Sequence, residues 1–76
     1  MNIKTELELT ENYKNRVLAL QGDKSERLIE VYYLLRGFEF ERFDFMKGMR
    51  YQHQATEITL ELYGAESAQF LTALID

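Results

Sequence analysis

The sequence predicts an α+β domain: an antiparallel sheet with two helices packed on one of its faces. Three observations lead there. Apolar and polar residues alternate with a period of two in residues 3–9, 38–45 and 58–62, the pattern of a strand with one face buried. Residues 17–20 form a short run that is apolar on both sides, as in a central strand. Apolar residues then recur at three- and four-residue steps from Leu28 to Leu35 and from Ala68 to Ile75, the period of an amphipathic helix.

In the first strand Ile3, Thr5, Leu7 and Leu9 fall on one side and Lys4, Glu6 and Glu8 on the other. Thr10, Glu11 and Asn12 turn the chain into residues 17–20. Tyr13, Val17 and Leu20 also fit a helical step, and so short a run does not separate the two periods. Gly22, Asp23, Lys24 and Ser25 break the pattern, and Asp23 or Ser25 offers a side-chain oxygen to cap the helix that follows. Glu26 in its first turn suits the positive helix end. That helix buries Leu28, Ile29, Tyr32 and Tyr33 with Leu35 or Arg36, and stops at Gly37, the residue that takes a left-handed backbone at least cost.

Phe38 and Phe40, then Phe43 and Phe45, alternate with a slip of one residue at Glu41 and Arg42. A β-bulge absorbs the slip and sets all four rings on one face. Lys47 and Gly48 turn, and residues 58–62 return as the partner strand of a hairpin. After Gly64 a closing helix runs to Asp76. The expected core is Ile29, Tyr32, Phe40, Ile58, Leu60, Leu71 and Leu74. From residue 17 onward the order is βαββα, the ferredoxin-like pattern without its last strand. Residues 3–9 fit the vacant edge beside residues 17–20, as in a circularly permuted sheet.

A chain of 76 residues supports one core, so residues 1–76 are expected to form a single, marginally stable domain. It has no Cys, which excludes disulfides and thiolate metal sites. One His among scattered carboxylates gives no metal site, so neither a metal nor another cofactor is expected. Self-association is the remaining support, and a homodimer formed through the sheet is expected. The 13 acidic residues outnumber the 9 basic ones, and the basic residues are dispersed, which argues against nucleic acid as a partner. No apolar run is long enough to cross a membrane, and the first residues do not lead into a signal-peptide core. The expected compartment is the cytoplasm.

Residues 23–41, with Arg36-Gly37-Phe38 closing a helix and Phe40-Glu41-Arg42-Phe43-Asp44-Phe45 following as a strand, resemble the first helix and second strand of ACT domains. The likeness is to the acetolactate synthase small subunit in particular, and continues through Glu57-Ile58-Thr59-Leu60-Glu61-Leu62 and Gly64, so that it covers residues 17–75. It implies a ferredoxin-like regulatory domain that docks on a large, thiamine-dependent catalytic subunit and senses a branched-chain amino acid. The implied ligand site is the turn Gln21, Gly22, Asp23, Lys24 and Ser25, where a ligand carboxylate meets the N–H groups of a helix N-terminus. Gln21-Gly22-Asp23-Lys24 stands where the family commonly has Asn-x-Pro-Gly.

No catalytic set is legible. Ser25 and Ser67 have no adjacent base, no carboxylates are paired for acid–base work, and no Gly-rich phosphate loop is present. His53, in the hairpin connection beside Arg50, Tyr51 and Gln52, reads as an exposed loop residue because no second ligand or base is spaced with it. The four Phe of residues 38–45 read as core, not as a ligand box. Glu39, Glu41 and Asp44 read as a solvated face. The expected function is non-catalytic: regulatory docking as the resemblance implies, or a stand-alone dimerising interaction module without a small-molecule ligand.

Overall fold

The computed structural model describes residues 2–75. They form four helices: α1 (Ile3–Gln21), α2 (Glu26–Glu41), α3 (Phe45–Tyr63) and α4 (Ala68–Ile75). None of the described residues is in a strand. The expected α+β, ferredoxin-like sheet is corrected to an all-helical fold, and the ACT-type architecture and the pairing through a sheet fall with it. The end of the predicted closing helix at Asp76 lies outside the described residues.

The first correction concerns residues 3–20. With no proline anywhere in the chain, nothing interrupts a helix here. Asn2 caps it, its Oδ1 accepting from the Thr5 N–H at 2.9 Å. The inward stripe of α1 runs Leu7, Thr10, Glu11, Lys14, Val17 and Leu18, of which Leu7 and Val17 are buried and the rest half-buried. Its spacing is helical, but its middle is polar, so a pattern drawn from apolar residues alone does not reveal it. The alternative helical reading of Tyr13, Val17 and Leu20 holds, since all three lie in α1 and Val17 is buried, but Leu20 is 84% exposed and not on the inward face.

The second correction concerns residues 37–45. α2 does not stop at Gly37 but continues to Glu41, so Glu39 turns inward while Phe38 and Phe40 are half-buried. The helix ends four residues beyond the glycine. The Phe43 N–H donates to Phe40 O at 3.0 Å and the Asp44 N–H to Glu39 O at 2.9 Å, with Phe43 at φ 64°. This is a Schellman C-cap in which Phe occupies the left-handed position that usually falls to Gly. Asp44 then caps α3, its carboxylate accepting from the Lys47 N–H at 3.2 Å. What reads as a bulged strand entering a β-hairpin is an αα-hairpin with a three-residue turn.

The third correction concerns residues 58–62, which continue α3. Tyr51, Ala55 and Ile58 of this helix pack on Leu28, Val31 and Leu35 of α2, and Leu7 and Val17 of α1 complete the core. The Tyr32 and Tyr51 rings stack with centroids 5.9 Å apart. The α2–α3 crossing is tight at one point, where a Cβ on Gly48 would lie 2.2 Å from Phe40 Cε1.

Of the expected core, Tyr32 and Ile58 are buried, Ile29 and Phe40 are half-buried, and Leu60, Leu71 and Leu74 are exposed. α4 was expected as a helix and is one, but it packs through Ala73, which is 2% exposed. Ser67 caps it by accepting from the Phe70 N–H at 3.1 Å. Gln52 Nε2 donates to Ala73 O at 3.0 Å, and Arg36 donates to Gln52 Oε1, so α2, α3 and α4 are tied in one relay.

The Cα frame measures 39 × 28 × 16 Å. A slab this thin leaves more surface than a rounder body. The accessible area is 5285 Å², against about 4,850 Å² for an average folded monomer of this mass.

Candidate functional site

The residues singled out by the resemblance, Gln21, Gly22, Asp23, Lys24 and Ser25, come together as the α1–α2 connection. Each named role there is architectural. Gly22, at φ 82°, closes α1 with its N–H donating to Leu18 O at 3.0 Å. Ser25 Oγ accepts from the Leu28 N–H at 3.2 Å, so the first turn of α2 is already capped by this chain's own hydroxyl. Lys24 Nζ lies 2.9 Å from Glu61 Oε2 on the surface. The hydrogen bond that Lys24 donates to Glu61, and then the charge of Glu61, raise the lysine pKa.

Sequence reasoning missed the most buried polar group. Glu39, read as part of a solvated face, is fully buried. Its Oε1 accepts from Arg42 Nη1 at 3.0 Å. Its Oε2 has Lys47 Nζ at 3.1 Å, a charge contact without the alignment of a hydrogen bond. Beside it the Tyr51 hydroxyl donates to Glu11 Oε1 at 2.9 Å. Burial first, then the Glu11 hydrogen bond and the Glu11 and Glu39 charges, push the Tyr51 phenol well above its usual pKa. Two cations clamp the Glu39 carboxylate away from solvent, so the cluster acts as a clasp on the α2–α3 corner. The i,i+3 spacing of Glu39 and Arg42 is the signal that would have shown it, once the segment is taken as helix.

A groove of about 510 Å³ separates α2 from α4, with Thr59 and Tyr63 of α3 as its floor and Ile29 and Tyr33 on one wall. At its mouth the Tyr63 hydroxyl donates to Glu26 Oε1.

The remaining feature is apolar and outward. Phe43 is 79% exposed, Met46 likewise 79%, and Phe45 and Met49 are also exposed. The Phe43 ring meets Phe45 edge-on with centroids 6.2 Å apart, and Phe45 meets Phe40 at 5.8 Å. From this corner the outer face of α3 continues through His53, whose Nε2 is 3.0 Å from Glu57 Oε1. The three- and four-residue steps of Met46, Met49 and His53 carry the signal for this face, hidden when Lys47 and Gly48 are read as a turn.

Among the described residues no three His, Cys, Asp or Glu side chains are grouped to hold a metal ion. No described helix is long and apolar enough to cross a membrane.

The fold and its surfaces define an all-helical domain with an exposed apolar area at the α2–α3 corner. No family model, no curated protein and no solved structure matches the chain. The likeness to ACT domains thus finds neither support nor refutation there, while the sheet it implies is replaced by helices.

Proposed function

We propose that this chain is a non-catalytic protein-interaction module that docks partners on the apolar corner formed by Phe43, Phe45, Met46 and Met49. One observation carries the reading: two unfavourable features fall on Phe43 alone. A left-handed backbone costs an L-residue about 1–2 kcal/mol, and Phe43 adopts it at φ 64°. The same residue leaves most of its ring in water. Glycine would remove both costs in the isolated chain, so the retained ring is best explained by a surface that it meets. Large exposed aromatics beside Met are the residues that anchor protein contacts.

A cytoplasmic setting belongs to this reading, supported by the lack of a membrane-crossing helix among the described residues. Docking on a thiamine-dependent subunit and sensing of a branched-chain amino acid do not belong to it, because the strand–turn–helix geometry that implied them is not there. Co-purification from the native cell tests the proposal. Proteins held by the wild type are expected to be lost from Phe43→Gly and Met49→Glu variants that melt no earlier than the wild type. Retention of the same set by both variants would contradict it.

A further inference from the structure

We infer that the outer face of α3 pairs with the same face of a second copy of this chain, as an antiparallel two-helix contact centred on His53. The inference rests on the docking reading above and names its occupant. Met46, His53 and Leu60 are seven residues apart, with Met49 and Thr56 between them, which places them at the a and d positions of a coiled-coil seam. In that frame Tyr51 and Ile58 are f positions, opposite the seam, and both are buried in the domain's own core. Met46, Met49 and Leu60 are exposed, and the His53 side chain is 73% exposed. Four of the five seam residues therefore face away from the domain, and Thr56 is half-buried.

The charges beside the seam fix the occupant and its direction. Arg50 and Glu57 are both e positions, and the g positions Phe45, Gln52 and Thr59 are uncharged. In a parallel pair e faces g, so neither charge meets an opposite one. In an antiparallel pair e faces e. With His53 on the two-fold axis, Arg50 lies three residues to one side and Glu57 four to the other. Arg50 then stands within one residue's rise, about 1.5 Å, of the level of the partner's Glu57. Met46 comes level with the partner's Leu60 in the same register. The face is self-complementary in charge and apolar content, as an isologous two-fold contact requires. Arg50 makes no ion pair within its own chain among the described residues. Glu57 holds His53 through Oε1 alone, which leaves its second oxygen for the incoming guanidinium. A single polar residue at an a position, here His53, serves to hold one register against others.

Charge reversal tests this with sedimentation equilibrium at micromolar concentration. Arg50→Glu alone would set two acidic pairs across the contact, and Glu57→Arg alone two basic pairs. Each variant is expected to dissociate at least about tenfold more readily than the wild type. An equimolar mixture of the two restores both opposite-charge pairs and is expected to form the mixed dimer, while circular dichroism reports that each variant is folded. A wild-type mass near 9.0 kDa, or single variants that pair as well as the wild type, would overturn the inference. The two readings fail separately. A monomeric wild type whose partners are still lost on Phe43→Gly removes self-pairing and leaves docking. A charge-reversal mixture that pairs, with all co-purifying partners kept by Phe43→Gly, removes the docking reading.

Discussion

The Tyr51 hydroxyl donates to Glu11 Oε1 at 2.9 Å and so joins α3 to α1, two helices whose described Cα atoms nowhere approach within 8 Å of one another. A half-buried carboxylate takes this bond, and hydrogen bonds to charged groups contribute about 1.5–3 kcal/mol. Tyr51→Phe keeps the ring stacked on Tyr32 and removes only the hydroxyl. Urea unfolding is expected to show a loss of about 1–2 kcal/mol, and unchanged stability would mean that the bond does not hold α1 in place.

Alkaline pH should reach the same bond. Burial raises the Tyr32 pKa, and burial with Glu11 raises that of Tyr51 further. The folded state then holds both phenol protons more tightly than the unfolded chain, whose tyrosines ionise near pH 10. Their contribution to stability is complete below that pH and is lost as the pH rises above it toward the folded-state values. Stability measured from unfolding curves is expected to fall steadily from about pH 9 to about pH 11.5, and less so for Tyr51→Phe. Equal slopes for the two proteins would contradict the assignment.

Gly48 and Phe40 set the α2–α3 distance. A Cβ at Gly48 would sit 2.2 Å from Phe40 Cε1 and 2.4 Å from Cδ1, so Gly48→Ala must displace the ring. A net loss of about 1 kcal/mol is expected, the overpacking exceeding the helix propensity that alanine adds. In a Phe40→Ala background the same substitution should turn stabilising, because only the propensity remains. A loss of equal size in both backgrounds would place the clash elsewhere.

α4 hangs on little. Ala73 is its one buried residue, and Gln52 Nε2 satisfies its carbonyl. Gln52→Ala is expected to release the helix, with faster amide exchange confined to residues 68–75 and a cost of about 1 kcal/mol. Exchange rates there equal to the wild type's would show that Gln52 is dispensable.

Phe43→Gly separates stability from docking. Relief of the left-handed backbone is expected to exceed the lost edge contact with Phe45, which raises stability by up to about 1 kcal/mol. A thermal midpoint lower than the wild type's would mean that the ring serves the chain's own fold.

Two of the four helices, α2 at its start and α4, were legible in the sequence, while α1 and α3 were not, although α3 turns the apolar Tyr51, Ala55 and Ile58 inward. Ser25 and Glu26 at the start of α2, the stripe from Leu28 to Leu35, and the helix after Gly64 all stand where their chemistry points. α1 was hidden because Thr10, Glu11 and Lys14 occupy the middle of its inward face. Residues 38–45 misled for a different reason. A buried Glu39 between half-buried phenylalanines inverts the usual sign of burial, and the helix end falls on Phe43, not on Gly37. Gly37 has nothing within 4 Å of a built Cβ, so it marks neither a turn nor a close contact. Phe43 and Phe45 of the apolar corner stood out in the sequence among four Phe, but their outward direction did not, since that depends on where α2 ends.

The most direct measurement exploits the absence of cysteine from the chain. His53→Cys would set one thiol from each copy at the proposed two-fold axis, while Asn15→Cys places one on the exposed side of α1. Under mild air oxidation at micromolar concentration, His53→Cys is expected to convert to a disulfide-linked dimer on non-reducing gels well ahead of Asn15→Cys. Equal rates for the two variants, or no dimer from His53→Cys, would contradict self-pairing through α3.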